Sequence, residues 1–369
     1  MKRIAFLGSG GHSLPTYRAL LNSLASEYSI VVYSEVPVPQ EWLKFDHQYR
    51  IRPFKGMGLS TKIREFLFLI LLIRDHLKKP FDLVHAHCTF PTGFSAIILQ
   101  KLFGVPTLLS LDGGEEVSFP DIKFGDANQS KRTRVNKWII NNASVVTTLT
   151  RFQRDGIYRN LKITREIQII PRGVDTNRFL FRRNNKLGTP IIFLSVGYFS
   201  PVKDPETLIK AFFIIQKQVN SKLIHVGRDY MNGLVHRLVD EMGISNKVQF
   251  IEPVDHESIF EFYRKADIFL HTSVYESQAL VVAEALAAGN LVCGTNVGLM
   301  NDLSGECCIT VPIKEPEALA SVVLELLSNS DKMDKLRLSA YKWTENNSLE
   351  NCTNRFRDIY VRLLSPARS

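Results

Sequence analysis

From end to end, apolar runs of strand length alternate with amphipathic stretches of helix length, the pattern of parallel sheets built from βα units. In the first half, short apolar runs predict strands at 3–7, 29–33, 83–85, 107–110, 144–148 and 168–170. Apolar positions recurring at helical spacing predict helices at 13–26, 61–78, 92–103, 132–141 and 151–159. Around 171–190 the periodicity lapses into Pro, Gly, Asn and Arg, which reads as a linker. The pattern restarts with strands at 191–196, 222–226, 248–251, 268–271 and 291–294, and with helices at 205–219, 234–242, 258–264, 279–288 and 316–327. A last helix is predicted at 348–364. The expected organisation is α/β, with one domain over 1–172, a linker over 173–189, a second domain over 190–345 and a terminal helical segment over 346–369.

Length and composition sharpen this picture. A chain of 369 residues suits two domains, and an apolar content of 45% excludes a disordered chain. The longest apolar run, 66–73, is too short to span a bilayer and is flanked by Arg64 and Arg74. Met1-Lys2-Arg3 leads straight into a strand, so no secretion signal is expected. The five cysteines form no C-x-x-C and no paired framework, which suits small buried thiols in a reduced, cytoplasmic compartment and argues against a metal site. Charge is unevenly spread: residues 1–185 hold 27 Lys+Arg against 15 Asp+Glu, and residues 186–369 hold 19 against 22. The first half therefore expects an anionic partner. No helix-turn-helix, zinc finger or aromatic stacking motif points to nucleic acid, whereas an anionic membrane surface or a phosphate-bearing lipid fits. The helix at 61–78 joins a basic start to the apolar run; an interfacial helix is one reading, and burial of most of its length with the basic end exposed is the favoured one.

Candidate chemistry concentrates in Tyr275-Glu276-Ser277-Gln278-Ala279-Leu280, which continues through Glu284 to Gly289. The strand at 268–271 should bring Glu276 to the carboxyl edge of a parallel sheet, where α/β sheets bind ligands. Ser277, Gln278, Ala279 and Leu280 then open a helix whose first amides are unpaired and carry partial positive charge. Glu284 follows about one and a half turns later, with two acceptor oxygens suited to a diol. A carboxylate, an anion-binding helix start and a second carboxylate are what a nucleotide-sugar diphosphate needs. Lys203 is the cation best placed to stabilise a leaving diphosphate. Gly8-Ser9-Gly10-Gly11-His12 turns the first strand into the first helix, and its glycines allow close approach of a phosphate. Its spacing departs from G-x-G-x-x-G, which disfavours a nicotinamide cofactor. His85 and His87 end a strand without the Cys or carboxylate neighbours of a zinc site. No D-x-D occurs, so no essential metal is expected and no cofactor beyond the nucleotide-sugar substrate.

The spacing E-x7-E resembles the donor motif of the GT-B-fold retaining glycosyltransferases of family 4. The similarity extends to 196–204, which looks like the family's G-R-x4-K-G segment, to Pro171-Arg172-Gly173-Val174-Asp175, similar to P-N-G-V-D, and to a late glycine loop at 294–302. The resemblance implies two facing Rossmann-like domains with an interdomain cleft, an acceptor side in the first and a UDP- or GDP-linked sugar in the second, and a last helix that crosses back to the first. Glu284 would accept from the ribose hydroxyls, and Glu276 would orient the hexose and act electrostatically. Gly197 and Gly227 would let the nucleotide lie close to backbone. Tyr198 stands where the family has arginine, so either Arg228 compensates or the diphosphate is stabilised less. Gln278 replaces a common aromatic. Residues 109–115 are similar to T-x-H-G-x-D, with Asp112 in the histidine position and Glu115 in the acidic one, able to take an acceptor proton. Gly10, Gly11 and His12 resemble the first loop of enzymes acting on lipid-diphosphate acceptors, and His87 would touch substrate. The activity implied is a retaining hexosyltransferase, cytoplasmic and peripheral on the inner face of the cell membrane, that extends a polysaccharide, lipopolysaccharide or glycolipid. A nucleotide-sugar epimerase and a non-catalytic sugar-nucleotide-binding subunit are the alternatives.

Overall fold

The computed structural model describes residues 1–8, 14–34, 50–51, 61–125, 130–179, 187–255 and 258–365. The chain divides into two compact units: unit 1 is Met1–Arg172 with Leu349–Ser369, and unit 2 is Gly173–Ser348.

Unit 1 begins β1 (Arg3–Leu7), α1 (Leu14–Leu24), β2 (Ser29–Ser34), β3 (Arg50–Ile51), α2 (Thr61–Lys78), β4 (Leu83–His87), α3 (Phe94–Phe103), β5 (Thr107–Ser110), α4 (Ser130–Asn142), β6 (Val145–Thr148), α5 (Arg151–Leu161) and β7 (Gln168–Ile169). Its seven strands lie in the order β3-β2-β1-β4-β5-β6-β7, every neighbouring pair parallel. Strand order reverses between β1 and β4, which opens a crevice at the carboxyl edge.

Unit 2 repeats the scheme with β8 (Ile191–Val196), α6 (Pro205–Gln216), β9 (Ser221–Val226), α7 (Leu234–Glu241), β10 (Val248–Ile251), α8 (Phe260–Lys265), β11 (Ile268–His271), α9 (Leu280–Ala287), β12 (Leu291–Thr295), α10 (Gly298–Asp302), β13 (Ile309–Val311), α11 (Pro316–Leu327) and α12 (Ser330–Asn346). The order β10-β9-β8-β11-β12-β13 is again wholly parallel, with its reversal between β8 and β11. The last helix, α13 (Leu349–Leu364), returns to unit 1.

The buried strands are apolar on both faces, as helix-covered parallel strands must be; β1, β4, β11 and β12 are buried almost throughout. The sequence pattern missed β3, β13, α10 and α12. The two strands are two and three residues long, below the length at which a period is visible. Helix α12 is a polar seventeen-residue segment that buries only a narrow stripe, Met333, Leu336 and Ala340 among it, too thin to stand out. Helix α9 starts at Leu280, one residue later than expected, because Ala279 adopts a left-handed φ of 67°. Among the described residues, no helix is long and apolar enough to cross a membrane.

Helix α13 is held in unit 1 by apolar packing and one polar line. Cys352, Phe356, Ile359 and Tyr360 join Ile4, Phe6 and Leu108 in a common core. The Tyr360 hydroxyl lies 2.8 Å from His85 Nδ1, and His85 Nε2 lies 2.8 Å from Ser110 Oγ, which continues to Thr147 Oγ1 at 2.9 Å. His85 is thus fully engaged in joining β4, β5, β6 and α13. Tyr360→Phe would strip one buried nitrogen of its partner, so we expect a loss of about 1–3 kcal/mol in chemical denaturation. An unchanged midpoint would show that apolar packing alone holds the helix.

Candidate active site

The two strands that flank the reversal in unit 2 each end in a loop, 197–204 after β8 and 272–279 after β11, and backbone bonds stitch the loops together. Val274 N donates to Val202 O at 2.9 Å. Thr272 Oγ1 lies 3.0 Å from both Lys203 O and Asp204 O. Asp204 itself takes a left-handed φ of 44° and caps α6, accepting from Thr207 N at 3.3 Å and from Thr207 Oγ1 at 2.7 Å. With both ends pinned, Lys203 Nζ donates to Glu276 Oε1 in a close ion pair. Ser273 Oγ donates to the same oxygen at 2.8 Å, and His271 Nε2 stands 3.4 Å from it. Burial alone would raise the Glu276 carboxyl, but the Lys203 ammonium and then His271 outweigh it and hold that group well below the usual carboxylate range. The Glu276 side chain keeps 13% exposure and that of Lys203 31%, so the pair borders solvent.

Glycines let these loops approach one another. A Cβ on Gly227, at φ 154°, would sit 1.8 Å from Gly197 O. One on Gly298, at φ 54°, would meet Glu276 Cβ at 2.8 Å and Glu276 O at 3.0 Å. Gly298 therefore fixes where the Glu276 backbone can lie. A small, solvent-open pocket beside the pair is lined by Gly197, Tyr198, Lys203, His225, His271 and Ser273 among others. Tyr198 is exposed and meets Tyr230 edge-on at 5.4 Å. Arg228 is exposed as well, with its carbonyl accepting from Phe199 N at 2.9 Å. His225 is stacked on Phe199 at 3.7 Å, neither ring nitrogen has a hydrogen-bond partner, and burial pushes the imidazole down to about 3. Ser277 and Leu280 are half-buried, Gln278 is buried, and its carbonyl accepts from Leu299 N at 3.1 Å. Glu284, only 4% exposed, accepts from the Tyr263 hydroxyl at 2.9 Å. Burial and the Glu284 charge in turn raise the Tyr263 phenol, so Tyr263 stays a donor.

Unit 1 assembles a different cluster at its own reversal. Asp112, two residues past β5, accepts from the Tyr17 hydroxyl at 2.7 Å and pairs with Arg172 at 3.1 Å. Burial would raise its carboxyl, yet Arg172, His87 and Tyr17 hold it well below the ordinary range. His87, at the end of β4, is fully buried, packs on Tyr17 at 3.9 Å between ring centres and stands 3.9 Å from Asp112, too far to hydrogen-bond. Burial pushes both its imidazole and that of His85 down. Glu115 is buried and turns its carboxylate onto Gly113 N at 3.0 Å, bracing its own loop. Gly10, Gly11 and His12 lie outside the described residues. Sequence reasoning missed Arg172, Tyr17, His271, Ser273 and Gly298. Of these, Gly298 lies in the glycine loop the sequence had marked, and Arg172 stands where P-N-G-V-D has a neutral residue, as Asp112 stands where a histidine is expected. The two departures are the two halves of one ion pair.

Residues 18–178 match the model of Glycosyltransferase Family 4, and residues 176–343 match that of Glycosyl transferases group 1. The chain belongs to the family 4, group 1 glycosyltransferases. It is a transferase that uses a sugar donor, with the GT-B fold. Over 336 residues it is 24% identical to a D-inositol 3-phosphate glycosyltransferase of Corynebacterium urealyticum, covering 84% of this chain and 79% of that one. Over 280 residues it is 25% identical to the alpha-monoglucosyldiacylglycerol synthase of Acholeplasma laidlawii, covering 70% of each. Among solved structures, Anabaena HepE in complex with UDP-glucose superimposes with a TM-score of 0.76 at 16% identity, covering 98% of this chain and 100% of that one.

The Lys203–Glu276 pair carries a pH signature. A carboxyl held below its ordinary value stabilises the folded chain at pH above that value, and the contribution is lost as pH falls through the ordinary value toward the folded one. Lys203→Met is therefore expected to cost about 1–3 kcal/mol at pH 7. The gap from the parent chain should narrow as pH falls from neutral into the acidic range, because the variant's folded carboxyl, no longer held down by the ammonium, takes up a proton there while the parent's does not. Urea midpoints at both ends of that range measure it, and a gap independent of pH would remove Glu276 from the account.

Proposed function

We propose that this transferase moves a hexose from a UDP- or GDP-linked donor, with retention at the anomeric carbon, onto a polysaccharide, lipopolysaccharide or glycolipid acceptor at an anionic membrane surface. The observation that carries this reading is the Lys203–Glu276 pair at the strand-order reversal of unit 2, beside an open pocket. As the bond from the anomeric carbon to the diphosphate oxygen lengthens, negative charge grows on the diphosphate and positive charge on the sugar. Lys203 stabilises the first and an ionised Glu276 the second. A carboxyl held this far below its usual range is a poor proton donor, which favours an electrostatic role for Glu276 over acid catalysis. The acceptor oxygen then bonds the anomeric carbon on the face the diphosphate leaves, and its proton passes to a diphosphate oxygen. Glu284, with one oxygen on Tyr263, is assigned to the ribose hydroxyls; Arg228 and the amides of 277–280 are assigned to the diphosphate. Asp112 serves as a fixed charge, being too acidic for a base, and Glu115 and His87 shape the acceptor side.

The relatives support the two ends of this reaction in their own chemistry. One is named for a phosphate-bearing acceptor and another for a glycolipid, and the solved neighbour holds UDP-glucose. Nucleoside diphosphate release is the assay, with UDP-glucose and a GDP-hexose offered with and without candidate acceptors, and with the anomeric configuration of the product read by NMR. Release without acceptor supports the transferase; an inverted product overturns retention, and free epimerised donor supports an epimerase. Lys203→Ala should lower kcat about 10²-fold while raising KM far less. Equal loss of affinity for the donor and for the bare nucleoside would take Lys203 away from the diphosphate. Glu284→Gln should weaken nucleoside diphosphate binding by about 1.5–3 kcal/mol in calorimetry. Unchanged affinity would sink the ribose assignment.

A further inference from the structure

Helix α2 has two apolar faces. Phe68 and Leu72 point into the core of unit 1, where the sequence expectation of a buried helix holds. The opposite face departs from it. Phe66, Ile70 and Leu77, at spacings of four and seven, fall on one side of the helix and are 63%, 45% and 66% exposed. His76 packs on Phe103 at 4.6 Å between ring centres, which brings the end of α3 alongside the last turn of α2. There Leu102 is 60% exposed and Phe103 is also uncovered. Exposed cations rim this patch: Arg74 and Lys78 in the last turns of α2, Lys79 just past its end, and Lys101 on α3. The sole acidic residue between 66 and 79, Asp75, is buried, where it accepts from the Tyr33 hydroxyl at 3.0 Å and stands 3.5 Å from the Arg74 guanidinium.

We infer that the outer face of α2, with the end of α3, is a membrane-docking surface that sets Phe66, Ile70, Leu77 and Leu102 into the headgroup layer of an anionic bilayer. This rests on the membrane reading given above and names the surface that performs it. A stripe of exposed apolar side chains bordered by Lys and Arg, with no exposed acidic side chain between 66 and 79, is the chemistry of an interfacial helix. Anionic lipid complements the rim. A second copy of the same face would bring like charges together, which disfavours self-association.

The test uses the full chain and vesicles of phosphatidylcholine with and without phosphatidylglycerol, read by sedimentation. The parent chain should bind the anionic vesicles and release them as salt rises. The variant F66Q/I70Q/L77Q, altered only at exposed positions, should bind at least about tenfold less while keeping its melting temperature and its acceptor-independent donor hydrolysis. K78Q/K79Q/K101Q should bind less and show a flatter salt dependence. Equal binding by parent and the apolar variant would overturn this surface and leave the membrane reading standing. No binding of the parent to either vesicle would overturn both. A parent dimer that becomes monomeric in F66Q/I70Q/L77Q, with no lipid binding, would make the face a protein interface and overturn the proposal.

Discussion

A carboxylate held mostly out of water is stable only if donors surround it, and the loops of unit 2 are arranged around meeting that demand at Glu276. One oxygen collects Lys203 and Ser273 and has His271 nearby. Ser273 and His271 come from the same segment as Glu276, whereas Lys203 is 73 positions away. Lys203 arrives from the loop after β8, and Thr272 fixes that loop from the other side by reaching both Lys203 O and Asp204 O. Gly298 leaves room for the Glu276 backbone, and the left-handed Ala279 turns the chain into α9 just beyond. Removing the cation would leave a charge that burial disfavours, so the electrostatics and the loop geometry stand or fall together.

The same rule explains unit 1. Asp112, largely withdrawn from water, is balanced by Arg172, and Arg172 stacks over the Tyr17 ring while Tyr17 donates to Asp112. Exchanging one neutral side chain for a charged one in such a place is costly, whereas exchanging two for an ion pair with extra hydrogen bonds costs less. The departures at positions 112 and 172 are therefore a single physical change. Each looks like a lost contact when read alone. Together they place two opposite charges that neutralise each other at the carboxyl edge of the sheet.

The sequence by itself determined the secondary-structure rhythm and with it the class of fold. Long apolar strands separated by amphipathic helices leave a helix-covered parallel sheet as the way to bury both faces of each strand. It also marked the segments around Lys203 and Glu276, because a loop after a buried strand has few positions from which to reach a ligand. Elements with weak patterns escaped it: two- and three-residue strands have no period, and α12 hides a thin apolar stripe in a polar segment. What only the tertiary structure decided is which distant residues meet. Lys203 and Glu276 are 73 positions apart, and Asp112 and Tyr17 are 95 apart. Strand order brings each pair together, and strand order is a property of sheet packing that local periodicity does not encode. The second apolar face of α2 was hidden for the same reason, since a continuous apolar run looks alike whether one side or both are covered, and only the neighbours of the helix reveal which side they left bare.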